Sequence, residues 1–254
     1  MVLLKIRNVT KIFGGLIALR DVSFDVNKPE ILGLIGPNGA GKSTLFNIIS
    51  GFHSADKGKI IFKDEEINGL RVDQIASSGI GRIFQEPTLF MQESVFENVF
   101  SGFHRRYREP VWKAVFYTSG AREEEVTKKK RALEILEFMD LISARDELAA
   151  NLPHGRQRAL AIAIALASEP DLLLLDEPVT GMNPSETMAM IEKIRRIRET
   201  GITVLIVEHD MRAIMSLCDR IVVLSLGIKL VEGPPDKIKE DERVIEAYLG
   251  KQVV

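Results

Sequence analysis

Ile31-Leu32-Gly33-Leu34-Ile35-Gly36-Pro37-Asn38-Gly39-Ala40-Gly41-Lys42-Ser43 is the stretch that decides the fold. Its first five residues read as a short apolar strand. Gly36 to Ser43 fit the phosphate-loop spacing G-x-x-x-x-G-K-[ST], and a helical run from Lys42 to Ile49 follows. The glycines let backbone N–H groups converge on a β-phosphate, and the helix N-terminus adds a favourable dipole. Lys42 can reach the β- and γ-phosphates. Ser43 offers a hydroxyl to Mg²⁺, and Thr44 can reach the α-phosphate. Strand, loop and helix agree in order, so a nucleotide phosphate site is expected here.

A metal site needs a second element, and Leu172-Leu173-Leu174-Leu175-Asp176-Glu177 supplies one. An apolar strand that ends in carboxylates beside a phosphate loop lets Asp176 reach Mg²⁺ through a water. Glu177, one residue on, points elsewhere and can act as general base toward an attacking water. Together the two motifs favour nucleotide hydrolysis over binding alone.

Working outward, Leu3–Phe13 and Leu19–Val26 read as strands parted at Gly14-Gly15, with further strands at Lys59–Phe62 and Ile80–Phe84. From about Phe90 to Ala167 the pattern turns helical, and Val126, Leu133, Leu136 and Met139 recur near a helical period. Strands and helices then alternate: Leu172–Leu175, Pro184–Thr200, Ile202–Val207, Met211–Leu217 and Ile221–Leu224. Continuous apolar strands between helices predict a parallel, helix-covered sheet. The expectation is an α/β core interrupted by a helical lobe.

The 254 residues are 45% hydrophobic and 28% charged, a mixture that excludes a disordered or disulfide-stapled chain. A formal net charge of −2 gives no global attraction to nucleic acid. The single cysteine, Cys218, cannot form an internal disulfide, which fits a reducing compartment. Lys5 and Arg7 interrupt any signal-like apolar run, and Ala159–Ala167 is far short of the ~20 residues that cross a bilayer. A cytosolic chain is therefore expected, reaching any membrane through a partner.

These residues resemble the ATPase subunit of an ATP-binding cassette transporter along nearly the whole chain. Three further elements stand in the order that resemblance requires. Gln85 matches the Q-loop glutamine, implied to touch Mg²⁺ and to sense a membrane partner. His209, in Val207-Glu208-His209-Asp210, matches the switch histidine implied to contact the γ-phosphate. Phe13 stands where an aromatic stacks on adenine. The resemblance implies a P-loop NTPase fold of the ABC type: a RecA-like core at about 1–84 and 168–254, an antiparallel β subdomain, and an inserted helical subdomain at about 85–167. It implies ATP and Mg²⁺ as ligands, the metal held by Ser43, Gln85 and Asp176, and hydrolysis carried by Glu177, His209 and Gln85.

Two segments depart from the family pattern. Leu152-Pro153-His154-Gly155-Arg156 stands in place of Leu-Ser-Gly-Gly-Gln, the signature implied to reach ATP held by a second subunit. Pro153 has neither hydroxyl nor N–H, although it suits the first turn of a helix, and Gly155 still permits close approach. Asn183 replaces an Asp in Gly181-Met182-Asn183-Pro184, keeping an acceptor without the charge.

Within the family, the detailed resemblance is to branched-chain amino acid importer ATPases, through Phe13-Gly14-Gly15-Leu16, Gly181-Met182-Asn183-Pro184, Glu208-His209-Asp210-Met211 and Val244-Ile245-Glu246-Ala247-Tyr248-Leu249-Gly250. Phe103–Arg122, with Arg105-Arg106, Trp112 and Phe116-Tyr117, resembles the extended lobe of one of that system's two ATPases; its aromatics read equally as partner surface or lobe core. The implied partners are membrane permease subunits, a second ATPase subunit (a heterodimer before a homodimer) and, indirectly, a solute-binding protein. The implied location is the cytoplasmic face of the cell membrane, with no nucleic acid partner. A lipopolysaccharide-export ATPase is the alternative within the family. A DNA-repair clamp would need coiled-coil heptads, which are absent; a ribosome-associated ATPase would carry two cassettes. A P-loop GTPase would need Asn-Lys-x-Asp, and Asn27-Lys28-Pro29-Glu30 lacks the Asp and precedes the loop.

Overall fold

β1 (Val2–Phe13) and β2 (Leu16–Asn27) pair antiparallel, with Phe13 opposite Leu16. Gly14 and Gly15 both take positive φ, which suits a tight two-residue hairpin turn. β4 (Lys57–Phe62) pairs with the other edge of β1, placing Ile60 opposite Ile6 and Phe62 opposite Leu4, all buried. β5 (Glu65–Glu66) completes the order β2-β1-β4-β5. This computed structural model describes residues 1–86, 88–105 and 119–249. The chain divides into two units, Met1–Arg82 with Asp171–Val254, and Ile83–Pro170.

The second sheet of the first unit runs β10 (Ile228–Gly233), β9 (Arg220–Ser225), β3 (Ile31–Ile35), β8 (Thr203–Val207), β7 (Leu172–Asp176), β6 (Ile80–Ile83). β9, β3, β8 and β7 are mutually parallel, and β10 is an antiparallel edge. Every residue of β3 and β8 is buried, which is why they read as unbroken apolar runs rather than alternating ones. Helices α1 (Lys42–Ile49), α2 (Val72–Ser78), α6 (Pro184–Glu199), α7 (Met211–Leu217), α8 (Pro235–Glu240) and α9 (Glu242–Leu249) belong to this unit. One core joins Leu4, Phe24 and Phe62 to Leu32, Phe46, Leu174 and Leu205. Cys218 is buried beside Gly33, and burial pushes its thiol pKa up, making it unreactive. Because the central strands are parallel, the segments after β3, β7, β8 and β9 leave at one sheet edge, where open α/β sheets bind ligands.

The second unit holds α3 (Val95–Ser101), α4 (Ser119–Phe138) and α5 (His154–Ala167), with short 3₁₀ turns at Gly102–Arg105, Ile142–Ala144 and Ala149–Asn151 and a bridge between Ser94 and Leu148. Val95, Val99, Leu136, Met139, Leu160 and Ala163 fill its core. α4 supplies the helix expected over Glu123–Met139, ending at Phe138, and Leu136 and Met139 are buried as its period predicts, but Val126 is 67% exposed; 141–153 winds through 3₁₀ turns rather than a continuous helix. Phe103 is buried in this unit. Arg106, Trp112, Phe116 and Tyr117 lie outside the described residues. Among the described residues no helix is long and apolar enough to cross a membrane.

α2, β10 and α8 carry no strong sequence signal. α2 buries only Ile75, and α8 only Ile238. β10 is half-exposed along its length.

Candidate functional site

Gly36 to Gly41 wrap from the end of β3 into α1. Gly36 takes φ 152°, and a Cβ there would stand 2.1 Å from the Leu224 carbonyl oxygen. No other residue fits, because the loop passes against β9. Gly39 and Gly41 also take positive φ, and Gly41 precedes the first turn of α1 with no side-chain cap. The amides at this helix start are therefore open to an anion. Pro37, Asn38, Ala40 and Thr44 complete the loop; Ala40 is buried and Ser43 exposed.

Lys42 folds back on the loop, donating to the carbonyls of Gly36 at 2.7 Å and Pro37 at 3.0 Å. Burial lowers its pKa, while Glu177 and Asp176 oppose that shift. Asp176, at the tip of β7, has its pKa raised by burial and drawn back by Arg82. Arg82 Nη2 donates to Asp176 Oδ2 at 3.3 Å. Ser43 and Asp176 are hard oxygen donors of the kind that hold Mg²⁺ beside phosphate oxygens. The side-chain chemistry of the loop and strand tip fits that ion.

Glu177 follows in a left-handed conformation, φ 51°. A non-glycine residue held there is strained by about 1–3 kcal/mol, and such strain clusters at functional positions. Its N–H bonds the Val207 carbonyl at 2.9 Å, and its Oε2 accepts from Thr180 Oγ1 at 3.2 Å. His209 Nδ1 stands 3.6 Å from Glu177 Oε1, with its own side chain well exposed. The first unit thus brings Lys42, Asp176, Glu177 and His209 together at one sheet edge.

Three supports went unread in the sequence. Arg82 is one. Glu208, 1% exposed, is another: it accepts from Val179 N–H at 2.8 Å and His209 N–H at 3.0 Å, so it ties the segment after Glu177 to the switch histidine. Burial raises its pKa and those amides pull it back. The third is a capping box at α6. Asn183 Oδ1 accepts from Glu186 N–H and Glu186 Oε2 accepts from Asn183 N–H, each at 3.0 Å. The run Asn183-Pro184-Ser185-Glu186 carried that signal.

Phe13 ends β1 half-exposed, edge-on to His53 with ring centroids 5.3 Å apart. In the second unit, Gln85 and Glu86 are exposed after β6, and Pro87 lies outside the described residues. Of the signature segment, Leu152 is buried, Gly155 half-buried, and Pro153, His154 and Arg156 are exposed. Pro153 is the N-cap of α5 rather than part of its first turn. Its φ is −56° and ψ 150°, and its carbonyl accepts from Gln157 N–H at 3.0 Å. The missing N–H is as harmless there as it would be one residue later.

An ABC transporter family model matches residues 19–180, spanning the phosphate loop and the Asp176-Glu177 strand. The chain is an ABC transporter ATPase. Like others of that family, it binds nucleotide and hydrolyses ATP to power transport. A second model, of branched-chain amino acid ATP-binding cassette transporters, matches residues 229–254. The high-affinity branched-chain amino acid transport ATP-binding protein LivG of Escherichia coli K12 is 38% identical over 250 residues, 98% of each chain. The lipopolysaccharide export system ATP-binding protein LptB of the same organism is 35% identical, covering 99% of this chain and 98% of its own. A crystal structure of an ABC transporter cassette in its ADP conformation superposes with TM-score 0.86 at 32% identity, over 99% of this chain and all of that one. The ABC ATPase fold expected from the sequence is therefore the fold observed.

Proposed function

We propose that this ABC ATPase powers import of branched-chain amino acids or related amides through a separate membrane permease. The observation that carries the substrate class is the match of residues 229–254 to the branched-chain transporter model, together with end-to-end similarity to LivG. The lower identity to LptB leaves lipopolysaccharide export as the second reading. The chain acts as one nucleotide-binding domain, with its core at about 1–84 and 168–254 and its helical lobe at about 85–167. It sits at the cytoplasmic face of the membrane, against permease subunits and beside a second ATPase subunit.

In this reading Gly36–Thr44 hold the ATP phosphates and Phe13 meets adenine. Mg²⁺, when bound through Ser43 and Asp176, neutralises charge on the β- and γ-phosphates. Lys42 leaves the loop carbonyls for the phosphates. Glu177, fixed by its backbone bond to Val207 and by Thr180, takes the proton of the attacking water. His209, with its backbone N–H on Glu208, orients toward the γ-phosphate. Gln85, as metal contact and permease sensor, and Leu152–Arg156 with Asn183, as groups reaching the ATP of a partner subunit, are carried by the resemblance alone.

The test is reconstitution with its permeases in liposomes. Uptake of leucine, isoleucine or valine that requires ATP and a solute-binding protein supports import; lipid extraction instead would establish the export reading. Glu177→Gln should bind ATP normally while hydrolysing it about 10²-fold more slowly or worse. Near-normal turnover in that variant would assign the base elsewhere.

A further inference from the structure

Glu208, the residue after β8, is 1% exposed, and each of its two oxygens serves a different segment. Oε1 accepts from Val179 N–H at 2.8 Å, and Oε2 accepts from His209 N–H at 3.0 Å. Both segments bear on Glu177. Thr180, next to Val179, donates its Oγ1 to Glu177 Oε2 at 3.2 Å, and His209 Nδ1 stands 3.6 Å from Glu177 Oε1. The two arms on the Glu177 carboxylate therefore trace back to one buried group. Glu177 is itself held in the left-handed region, φ 51°, a conformation that persists only where its surroundings over-determine it. Its own N–H on the Val207 carbonyl is one restraint, and Val179 N–H on Glu208, two residues later, is the next.

We propose that Glu208 is a positioning residue for hydrolysis: by accepting from the amides of Val179 and His209 at once, it fixes the two segments that aim the Glu177 carboxylate. The inference rests on reading Glu177 as the base. A carboxylate is the side chain this place requires. Two segments each present an N–H, and only a carboxylate offers an acceptor to both without a donor of its own. Glutamine would turn its NH₂ toward one of those amides, setting donor against donor in a buried site. Aspartate, one methylene shorter, would not span both at hydrogen-bonding distance. Neither bond touches Gly36–Thr44, so Glu208 bears on the step that moves a proton and not on the binding of phosphates.

Glu208→Gln should lower kcat about 10-fold or more, since small misplacements of a reacting group are costly, while the KM for Mg-ATP stays within about twofold. kcat and kcat/KM should fall together, the pattern left when an interaction used only in the transition state is removed. A double-mutant cycle in single-turnover hydrolysis decides whether the loss runs through Glu177. If it does, adding Glu208→Gln to Glu177→Gln should change the residual rate by less than about twofold. An equal loss in both backgrounds would mean a general loosening of the site and overturn the proposal, as would near-normal turnover in Glu208→Gln alone. Amide exchange supplies a readout that needs no variant: Val179 and His209 N–H should exchange slowly with solvent in the unmodified protein. Fast exchange at either would overturn the proposal even if Glu208→Gln failed to fold. Failure of the reading of Glu177 looks different: Glu177→Gln alone would keep near-normal turnover, which removes the base and this proposal with it.

Discussion

Arg82 Nη2 meets Asp176 Oδ2 at 3.3 Å, while Arg82 Nη1 donates to Asn47 Oδ1 and Ser50 Oγ of α1 and its cap, both at 2.7 Å. One guanidinium therefore links the last turn of the phosphate-loop helix to the carboxylate expected to face the metal. Its Cζ lies over the rings of Phe46 and Phe52, 5.9 and 5.5 Å from their centroids. Arginine suits this position because a planar fork can serve several acceptors at once.

Arg82→Met should cost about 3 kcal/mol in urea unfolding, since it strands a half-buried carboxylate. The Asp176 pKa, already raised by burial, loses the group that draws it back. The concentration of Mg²⁺ needed for half-maximal hydrolysis should therefore rise, and Mn²⁺ binding to the ADP complex, followed by its paramagnetic signal, should weaken in parallel. Unchanged metal dependence would limit Arg82 to stability.

Lys42 gives a pH prediction whose sign is fixed. Burial lowers its pKa in the free site below 10.5, and bound phosphate, being negative, must raise it again. Binding then takes up a proton wherever the free lysine has begun to lose its own. ADP affinity should be full below the depressed pKa and fall as pH rises through it toward 10.5. Titrations at several alkaline pH values, in buffers of different ionisation enthalpy, measure both the affinity and the proton uptake. Lys42→Arg, charged throughout, should show a flat profile; a slope in that variant equal to the original would locate the titrating group elsewhere.

Phe90 and Met91 are exposed, at 61% and 40%, yet their backbone is fixed. Buried Asn98 accepts from Phe90 N–H at 2.9 Å and donates to its carbonyl at 2.9 Å, and Ala150 N–H bonds the Met91 carbonyl at 3.1 Å. Rigid, solvent-facing apolar side chains suit a groove or knob for a permease helix. Phe90→Glu should leave folding and basal ATPase intact while abolishing transport in the reconstituted system. Unfolding of that variant would give Phe90 a structural role in the lobe instead.

How far the sequence could be read depended on the range over which each signal acts. The phosphate loop, Asp176 and Glu177 were legible because their chemistry requires fixed local spacing. Arg82 was not, since an arginine within a short strand announces no partner and Asp176 lies 94 residues away. Glu208 was quoted only as a neighbour of His209, and nothing local announces a carboxylate 1% exposed. At Pro153 the helix start was located to within one residue, the usual uncertainty where a cap and a first turn both accept proline.

Pro153 carries the last prediction, because its place as N-cap gives one substitution two separable effects. Serine at an N-cap accepts from the amide two or three residues on, worth about 1 kcal/mol. Pro153→Ser should thus stabilise the isolated chain by roughly that amount, read from denaturant midpoints. In the family pattern the same hydroxyl reaches the γ-phosphate of a partner's ATP, a bond to a charged group worth about 1.5–3 kcal/mol. In a Glu177→Gln background, where ATP persists, Pro153→Ser should therefore strengthen ATP-induced dimerisation by about 10-fold or more, measured by sedimentation. Such a gain would mean that the natural chain forms a weak homodimer, suited to a heterodimer with unequal sites. A gain in stability without any gain in dimer affinity would assign the position to helix capping alone and leave the two ATP sites without this source of asymmetry.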